Sequence, residues 1–488
     1  MEGKPKENHD LEEFQKDIMP FIEFSHLIEQ ASSSIDSCID SILVFIKENN
    51  LLGENKGQFY QFLKILSNSI KCYPRSKNII IFLLKHYSED ISQKFTSEEL
   101  FSIFASNKLL LLALYESNCI NINTLQSKYS SSSYNFPFFY PEFKENYQIL
   151  STDQKERIQL IEKDIQEKFD SKIDTFLSLR EDGHSELKIA QLIRNDDVDN
   201  FSVLVSPENF NLNMEIPISI FESDPLLQSK PSLIEYACFF GSIKIFKFLW
   251  LKNLDIDQRI YSYAIAGNNT EIIHILESKY PPEVSDDGGC IIPTILYQRP
   301  EIFEYFIENY NYLVLTQKML AETIESHDFV MFNCIMSYIS KENPNCPILI
   351  TKNYRTSKVN CSIEQVLLMK DICDKNLLHT ACIYGNLEIV NFLSKLKFDK
   401  FSTSNSTSNK NSQFLFDINE KDNYHLAPLH YACKYDYLDI IKTLLNSYGD
   451  LIDWNIEDND YKYNYFANMA FFLKILLTLD TTSLCCAE

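Results

Sequence analysis

Three short stretches of this chain are close copies of one another. The copies are Glu235-Tyr-Ala-Cys-Phe-Phe-Gly241, His379-Thr-Ala-Cys-Ile-Tyr-Gly385 and His430-Tyr-Ala-Cys-Lys-Tyr-Asp436, and an apolar run of similar form follows each of them. Self-similarity on this scale predicts a solenoid, in which each repeat buries its apolar face against its neighbours. We therefore expect an all-α fold of helix-turn-helix repeats.

The small residue in the middle of each copy fixes the spacing of the repeat. The first apolar residue of the second helix follows eight positions later, as in Ala237 with Ile245, Ala381 with Ile389 and Ala432 with Ile440. The same spacing predicts weaker copies at Ala264 with Ile272, Thr294 with Ile302, Ala321 with Phe329 and Ala467 with Ile475, and an opening half-repeat at Ala190 with Val198.

The chain is long enough for more than one domain. The predicted organisation is a disordered tail (1–19), a helical N-terminal region (20–150), a connecting amphipathic helix (151–183), a repeat domain of about seven repeats with a polar insertion near 402–412 (184–480) and a second tail (481–488).

Composition argues against several classes of partner and enzyme. The 45 basic and 68 acidic residues give a formal net charge of -23, which would repel a nucleic-acid backbone. Only 10 glycines occur in the chain, so a glycine-rich phosphate loop is not expected. We predict no nucleic-acid partner and no cofactor.

No signal peptide or transmembrane segment is predicted. The longest apolar runs, 79–84 and 109–114, are far shorter than the roughly 18 residues of a membrane helix. We therefore expect a cytoplasmic protein without membrane insertion, and the 13 cysteines are expected to be reduced thiols. The terminal Cys485-Cys-Ala-Glu488 is a poor prenylation signal.

Two segments outside the repeats leave alternatives open. In the helix predicted over 151–180, Ser151 and Gln154 suit a capping box, and apolar residues recur every three or four positions. That pattern suits either packing onto the first repeats or a coiled-coil seam. The aromatic segment 134–141 is interpreted as a packed linker or as a recognition motif.

The motifs of common enzymes and metal sites are missing from the sequence. There is no Gly-x-Ser-x-Gly elbow, P-loop or His-Glu-x-x-His pattern, and no cysteine pair precedes His425 and His430. Segments 417–422 and 453–458 lack the central Gly and the closing Glu of a calcium loop, so we interpret them as turns. We predict no catalytic or metal residues.

One copy closely resembles a known repeat. Ala427-Pro-Leu-His430-Tyr-Ala432 nearly matches the T-P-L-H-x-A signature of the ankyrin repeat. The stretch 232–277 also resembles a large ankyrin family of trichomonad-type protists. The resemblance implies an ankyrin solenoid with a binding role, and it implies that His379 and His430 hydrogen-bond to backbone between adjacent repeats.

The repeats therefore favour a non-catalytic scaffold that binds a protein partner. In the three best copies an aromatic residue precedes the turn, and the last full repeat adds more candidates; the predicted binding residues are Phe240, Tyr384, Tyr424, Leu426, Tyr435 and Tyr437. Tyrosine suits binding hot spots, although these rings could instead cover a neighbouring repeat.

Two further expectations concern the partner and a rival function. Between residues 415 and 480, 11 acidic and 5 basic side chains favour a partner with a basic surface. The alternative function is an adaptor or enzyme whose active part lies in residues 20–180, a region too long for a simple cap.

Overall fold

The structure is a computed structural model of the full chain. It describes residues 7–31, 35–132, 134–168, 173–252, 254–282, 290–310, 317–340, 348–352, 355–359, 366–397 and 414–453. The predicted copy at Ala467, the polar insertion near 402–412 and the tail 481–488 lie outside these residues.

The chain divides into two compact units that do not follow the predicted domain boundaries. The first unit comprises residues 1–30, 36–68 and 284–488, and the second comprises residues 31–35 and 69–283. Part of the N-terminal helical region therefore belongs to the same unit as the last repeats. The repeats themselves are divided between the two units.

The first unit is mainly helical. Its elements are α1 (Glu7–Gln30), α2 (Ile35–Glu48), most of α3 (Lys56–Cys72), α20 (Ile291–Leu296), α21 (Pro300–Tyr310), α22 (Gln317–Ser326), α23 (Phe329–Ser340), β1 (Ile348–Lys352), β2 (Arg355–Val359), α24 (Leu377–Tyr384), α25 (Leu387–Lys395), α26 (Pro428–Lys434) and α27 (Leu438–Tyr448). The strands pair as an antiparallel hairpin, with Ile348 opposite Val359. The sequence analysis did not predict this hairpin.

The regular elements described in the second unit are helices. Its elements are α4 (Lys77–His86), α5 (Ser88–Lys94), α6 (Ser97–Phe104), α7 (Lys108–Glu116), α8 (Ile122–Tyr129), α9 (Asn135–Phe138), α10 (Tyr140–Glu145), α11 (Thr152–Lys168), α12 (Ile173–Asp182), α13 (Lys188–Arg194), α14 (Val198–Leu204), α15 (Pro225–Gln228), α16 (Leu233–Phe239), α17 (Ile243–Trp250), α18 (Ile260–Gly267) and α19 (Thr270–Lys279). The predicted helical solenoid is thus confirmed in its general form.

The expected disordered tail of residues 1–19 is wrong from Glu7 onward. Helix α1 begins at Glu7, and Leu11, Phe14 and Ile18 are buried along one of its faces. Spacings of three and four residues place these side chains together on a helix. Burial of that apolar face stabilises the helix despite the many charges around it.

The helix predicted over 151–180 is described as two helices, α11 and α12. The capping box is confirmed, because Ser151 and Gln154 exchange hydrogen bonds between side chain and backbone of 3.3 and 2.9 Å. Ile158 and Phe176 are buried within the second unit. Residues 169–172, between the two helices, lie outside the described residues.

The aromatic segment 134–141 contributes to the core of the second unit. It forms α9 and the start of α10, and Phe136, Phe138 and Phe139 are fully buried. Rings buried in this way are unavailable to a partner. The structure therefore favours the interpretation as a packed segment.

Each repeat is a pair of helices, and the same backbone hydrogen bond recurs at the turn between them. In the clear copies the residue five positions after the small residue donates its N–H to that residue's carbonyl, as in Ser242 to Ala237 at 2.9 Å and Asn386 to Ala381 at 3.0 Å. The residue before the donor adopts positive φ, for example 72° at Gly385. Gly385 therefore occupies a left-handed backbone position, which favours glycine.

The same hydrogen bond corrects the register of two weak copies. Asp197 donates to Leu192, and Asp328 donates to Thr323. Leu192 and Thr323 therefore occupy the position that the sequence analysis gave to Ala190 and Ala321, two residues earlier. The physical reason is that the turn, rather than the nearest alanine, fixes where the first helix ends.

Candidate protein-binding surface

The loops that precede the first helices of the last two described repeats, here called fingers, are ordered by aspartate side chains. In the first finger, Asp371 Oδ1 accepts the N–H groups of Cys373 and Lys375, both at 2.8 Å. In the second, Asp422 Oδ1 accepts those of Tyr424 and Leu426 at 2.9 and 3.0 Å. Such bonds satisfy the backbone of a tight turn locally. Within 417–422, interpreted as a turn, Asp417 Oδ1 accepts the N–H of Asn419 at 2.9 Å in the same way.

The two fingers are bonded to each other. The backbone N–H of Asn423 donates to the carbonyl of Cys373 at 2.9 Å, and its side-chain amide donates to the carbonyl of Ile372 at 3.3 Å. An ion pair between Lys370 and Glu420 also joins them. The fingers therefore present one continuous surface.

A buried histidine, His379, forms a hydrogen bond to the backbone of the second finger. His379 is fully buried; its Nε2 donates to the carbonyl of Leu426 at 3.1 Å, and its Nδ1 lies 3.4 Å from the backbone N–H of Asn376. Burial lowers the pKa of His379, so its ring is neutral near pH 7. The bond to Leu426 is the link between adjacent repeats that the ankyrin resemblance implied, and the histidine is structural.

Apolar and aromatic side chains project from the fingers. Ile372 is 92% exposed, Tyr424 is 57% exposed, and Leu368 lies nearby in sequence at 36% exposure. The Lys375 ammonium lies 5.0 Å from the centre of the Tyr424 ring. We call Leu368, Ile372, Lys375 and Tyr424 the finger surface. Exposed apolar side chains on a rigid loop are typical of protein-binding sites.

The sequence analysis identified Tyr424 but missed Ile372. A signal was present, because an isoleucine between polar residues in a turn, here Asp371 and Asp374, has no core to enter. Carboxylates outnumber lysines in the two fingers; the charged residues are Asp371, Asp374, Asp417, Glu420 and Asp422 against Lys370, Lys375 and Lys421. A partner with a basic surface stays a prediction.

The remaining predicted residues of the last repeats do not join the finger surface. Leu426 is buried, so its side chain is not accessible, contrary to its assignment as a surface contact. Tyr435 and Tyr437 follow α26, whose seven residues separate them from Tyr424 by about 10 Å along the helix axis. The predicted set is therefore not one contiguous surface.

Three of the predicted residues lie at the turns between the paired helices. We call Tyr384, Tyr435 and Tyr437 the turn surface. Tyr435 is 44% exposed, whereas the other two are half-buried. Burial raises the pKa of the Tyr384 hydroxyl, and Glu325 beside it adds to that shift. The backbone carbonyl of Tyr384 accepts a hydrogen bond from His327 Nε2 at 3.0 Å.

Helix α3 of the same chain covers part of the turn surface. The rings of Tyr60 and Tyr437 have centroids 5.6 Å apart, and their hydroxyl oxygens are 3.4 Å apart. The N–H of Gly57 donates to Asp439 Oδ2 at 2.8 Å. The interpretation that these rings cover a neighbour thus fits Tyr437, although the neighbour is an N-terminal helix and not a repeat.

Phe240 lies in the second unit. It is half-buried among rings, with centroids 5.2 Å from His184, 4.8 Å from Tyr236 and 5.1 Å from Phe239. Its contacts are those of a packing residue. A binding role for Phe240 stays a prediction.

Among the described residues, no cluster of His, Cys, Asp and Glu has the geometry of a metal site. No helix in the same part of the chain is long and apolar enough to cross a membrane.

A family model for ankyrin repeats, in three copies, matches residues 335–458, which include both fingers. No curated protein matches the chain. Ankyrin repeats are therefore present, and they indicate a module for protein–protein interaction. The narrower resemblance to an ankyrin family of trichomonad-type protists is not supported.

Proposed function

We propose that this chain is a non-catalytic scaffold that binds a protein partner through the finger surface. The observation that carries the proposal is the exposure of Ile372 and Tyr424 on two fingers bonded to each other. An isolated loop would lose conformational freedom on binding, whereas bonded fingers lose little. A tyrosine beside an exposed aliphatic residue is a common composition for an interface centre.

The charge of the fingers supports a partner with a basic surface. Asp374 of the first finger and Asp417 of the second are exposed, so lysine or arginine on the partner can form ion pairs at the rim. Rim charges mainly affect the association rate and its dependence on salt. We expect the affinity of the complex to fall as ionic strength rises.

The test compares proteins captured by the wild-type chain with those captured by the double variant Ile372→Asp with Tyr424→Ala. Matched controls are Leu251→Asp and Tyr134→Ala, because these side chains are also exposed, at 79% and 46%, but lie outside the fingers. The proposal expects a partner that the finger variant loses and both controls keep, with unchanged melting temperatures. Capture of the same proteins by every variant would contradict it.

A further inference from the structure

The N-terminal half of α1 lies on the second helices of two repeats. Phe14 stacks on Phe392 of α25, with centroids 4.2 Å apart, and meets the edge of Phe332 of α23 at 5.6 Å. Leu11 and Ile18, one turn to either side of Phe14, are buried with it. A surface that a bare pair of repeats would expose is thus covered by a helix from the same chain.

Polar contacts fix the position of α1 on this surface. Gln15 Nε2 donates to Asn333 Oδ1 at 2.9 Å and to Ser337 Oγ at 3.3 Å, both on α23. Glu13 lies 3.6 Å from the ammonium group of Lys395 on α25. Each contact joins two side chains, so the surface recognises the face of a helix and not its backbone. The matching helix carries one aromatic, two aliphatic and several acidic residues.

Helix α1 contains a weak point at Pro20. Proline has no N–H, so it cannot donate to the carbonyl of Lys16, and it favours a kink in a helix. Beyond Pro20 the helix is held by other contacts, including Phe24, which is fully buried 5.3 Å from the Phe62 ring of α3. Phe21, just after Pro20, stacks on Phe329 of α23 with centroids 5.3 Å apart, so each half of α1 is held by contacts of its own, with the missing backbone hydrogen bond at Pro20 between them.

A pair of carboxylates lies where the first half of α1 meets α25. Burial, and next Asp17 of α1, raise the pKa of Glu388 to about 7, whereas Asn391 and Lys395 on its own helix act in the opposite direction. Glu13 of α1 shares Lys395 with it. Docking of α1 therefore brings Asp17 toward a half-buried carboxyl group, and that approach is least costly when Glu388 is protonated.

We propose that α23 and α25 form a helix-binding surface, and that residues 7–19 of α1 are its reversible intramolecular ligand, released about Pro20 as the pH rises. The direction follows from linkage. Because the carboxylate of Asp17 on α1 raises the pKa of Glu388 when α1 is docked, docking is favoured while Glu388 is protonated and weakens as pH rises toward 7. Above that range the effect is complete and docking no longer depends on this group.

Hydrogen exchange of the full-length chain tests the release. Protection factors remove the pH dependence of chemical exchange itself, so they report the opening of each segment. We expect residues 11–19 to be less protected than residues 21–30 of the same helix. Their protection should fall between pH 5.5 and 7.5 by at most about tenfold per pH unit, the limit for one proton.

Variants separate this proposal from general loosening of the N-terminus. Glu388→Gln should remove the pH dependence of residues 11–19, whereas Glu12→Gln, at an exposed position of the same half, should leave it unchanged. Phe14→Ala should lower protection of residues 11–19 alone; if it prevents folding, Gln15→Ala gives the milder test. Equal protection along all of α1, or a pH dependence that survives Glu388→Gln, would overturn the proposal.

A labelled peptide of residues 7–19 tests whether the surface accepts a helix from another molecule. We expect saturable binding to the Phe14→Ala chain and at least several-fold weaker binding to the wild-type chain, whose own α1 competes. The same peptide carrying Phe14→Ala should not bind. Equal binding to both chains would place the peptide elsewhere, and binding to neither would show that the surface is not a helix-binding site; either result would overturn the proposal.

Discussion

The two ends of the last repeats carry similar side chains but differ in what covers them. At the finger end, Ile372 and Tyr424 are exposed. At the turn end, Tyr437 contacts Tyr60 of α3, and the carbonyl of Tyr384 is bonded to His327. Aromatic composition alone therefore does not identify a binding surface in this chain. The end of the repeat at which side chains stay exposed among the described residues is the better candidate.

The largest expected loss of stability is at the turn end of the repeats, which α3 partly covers. Gly385 has φ of 72°, and a Cβ there would lie 2.7 Å from Tyr437 and 3.0 Å from Tyr60. Left-handed strain and overpacking together should cost about 3 kcal/mol in Gly385→Val, measured by denaturation. Gly241→Val is the control, because Gly241 has a φ of 64° and a Cβ there would lie no closer than 3.1 Å to a neighbouring atom, the backbone oxygen of Gly267. Equal costs for the two variants would mean that the rings over Gly385 yield freely.

The next largest loss of stability is expected when a tyrosine at the turn end, rather than one at the finger end, is replaced. Tyr437→Ala removes a half-buried ring beside Tyr60 and should cost about 2 kcal/mol of unfolding free energy. Tyr424→Ala, at the exposed finger, should change stability by less than about 0.5 kcal/mol. Denaturation of both variants measures the difference. A larger loss for Tyr424→Ala would reverse the comparison between the ends.

Acid should affect the two ends through their buried histidines. Burial lowers the pKa of His327 well below its usual value, and it lowers that of His379, where Asp422 partly offsets the effect. A folded-state pKa below the unfolded value means that stability falls as pH drops below about 6.5, by up to about 1.4 kcal/mol per pH unit for each group.

The two substitutions His327→Gln and His379→Gln measure these contributions. Each should flatten the dependence of the melting temperature on pH between 5 and 7, and His327→Gln should do so more strongly. The comparison is made as a difference from wild type, because raised carboxyl pKa values such as that of Glu388 act with the opposite sign. If both variants keep the wild-type dependence of melting temperature on pH, neither histidine changes its protonation state on unfolding.

The smallest stability effect belongs to the finger surface itself. Ile372→Asp places a charge at a position already 92% exposed, so its unfolding free energy should stay within about 0.5 kcal/mol of wild type. Partner capture should nevertheless fall. A destabilised Ile372→Asp protein would mean that Ile372 packs in solution and is not free to bind.

The three clearest repeats could be placed from sequence alone because alanine occupies the crowded position between their helices. Ala237, Ala381 and Ala432 were located for this reason, and each is fully buried. The register failed where Leu192 and Thr323 take the small position and Asp196 and His327 take the turn. Left-handed backbone there is set by the packed helix pair, which residue type does not reveal.

The covering helices could not be predicted for a different reason. The spacing of Leu11, Phe14 and Ile18 is visible in the sequence, yet residues 1–19 are predicted to be a disordered tail. Which surface an amphipathic helix meets depends on contacts more than 300 residues away, such as Gln15 with Asn333. Exposure at Ile372 likewise depends on how the folded finger packs, which residue type alone does not show.

The bonds from Asn423 to the neighbouring finger have a kinetic consequence. A partner arriving at loops already held in one arrangement does not wait for them to fold, so the rate of encounter is limited by diffusion and mutual orientation. Differences in affinity among partners would then appear mainly in how long each complex lasts. The variant Asn423→Ala loses the side-chain hydrogen bond to the neighbouring finger. Its fingers should bind a partner more slowly, and the change should appear first as a lower association rate constant.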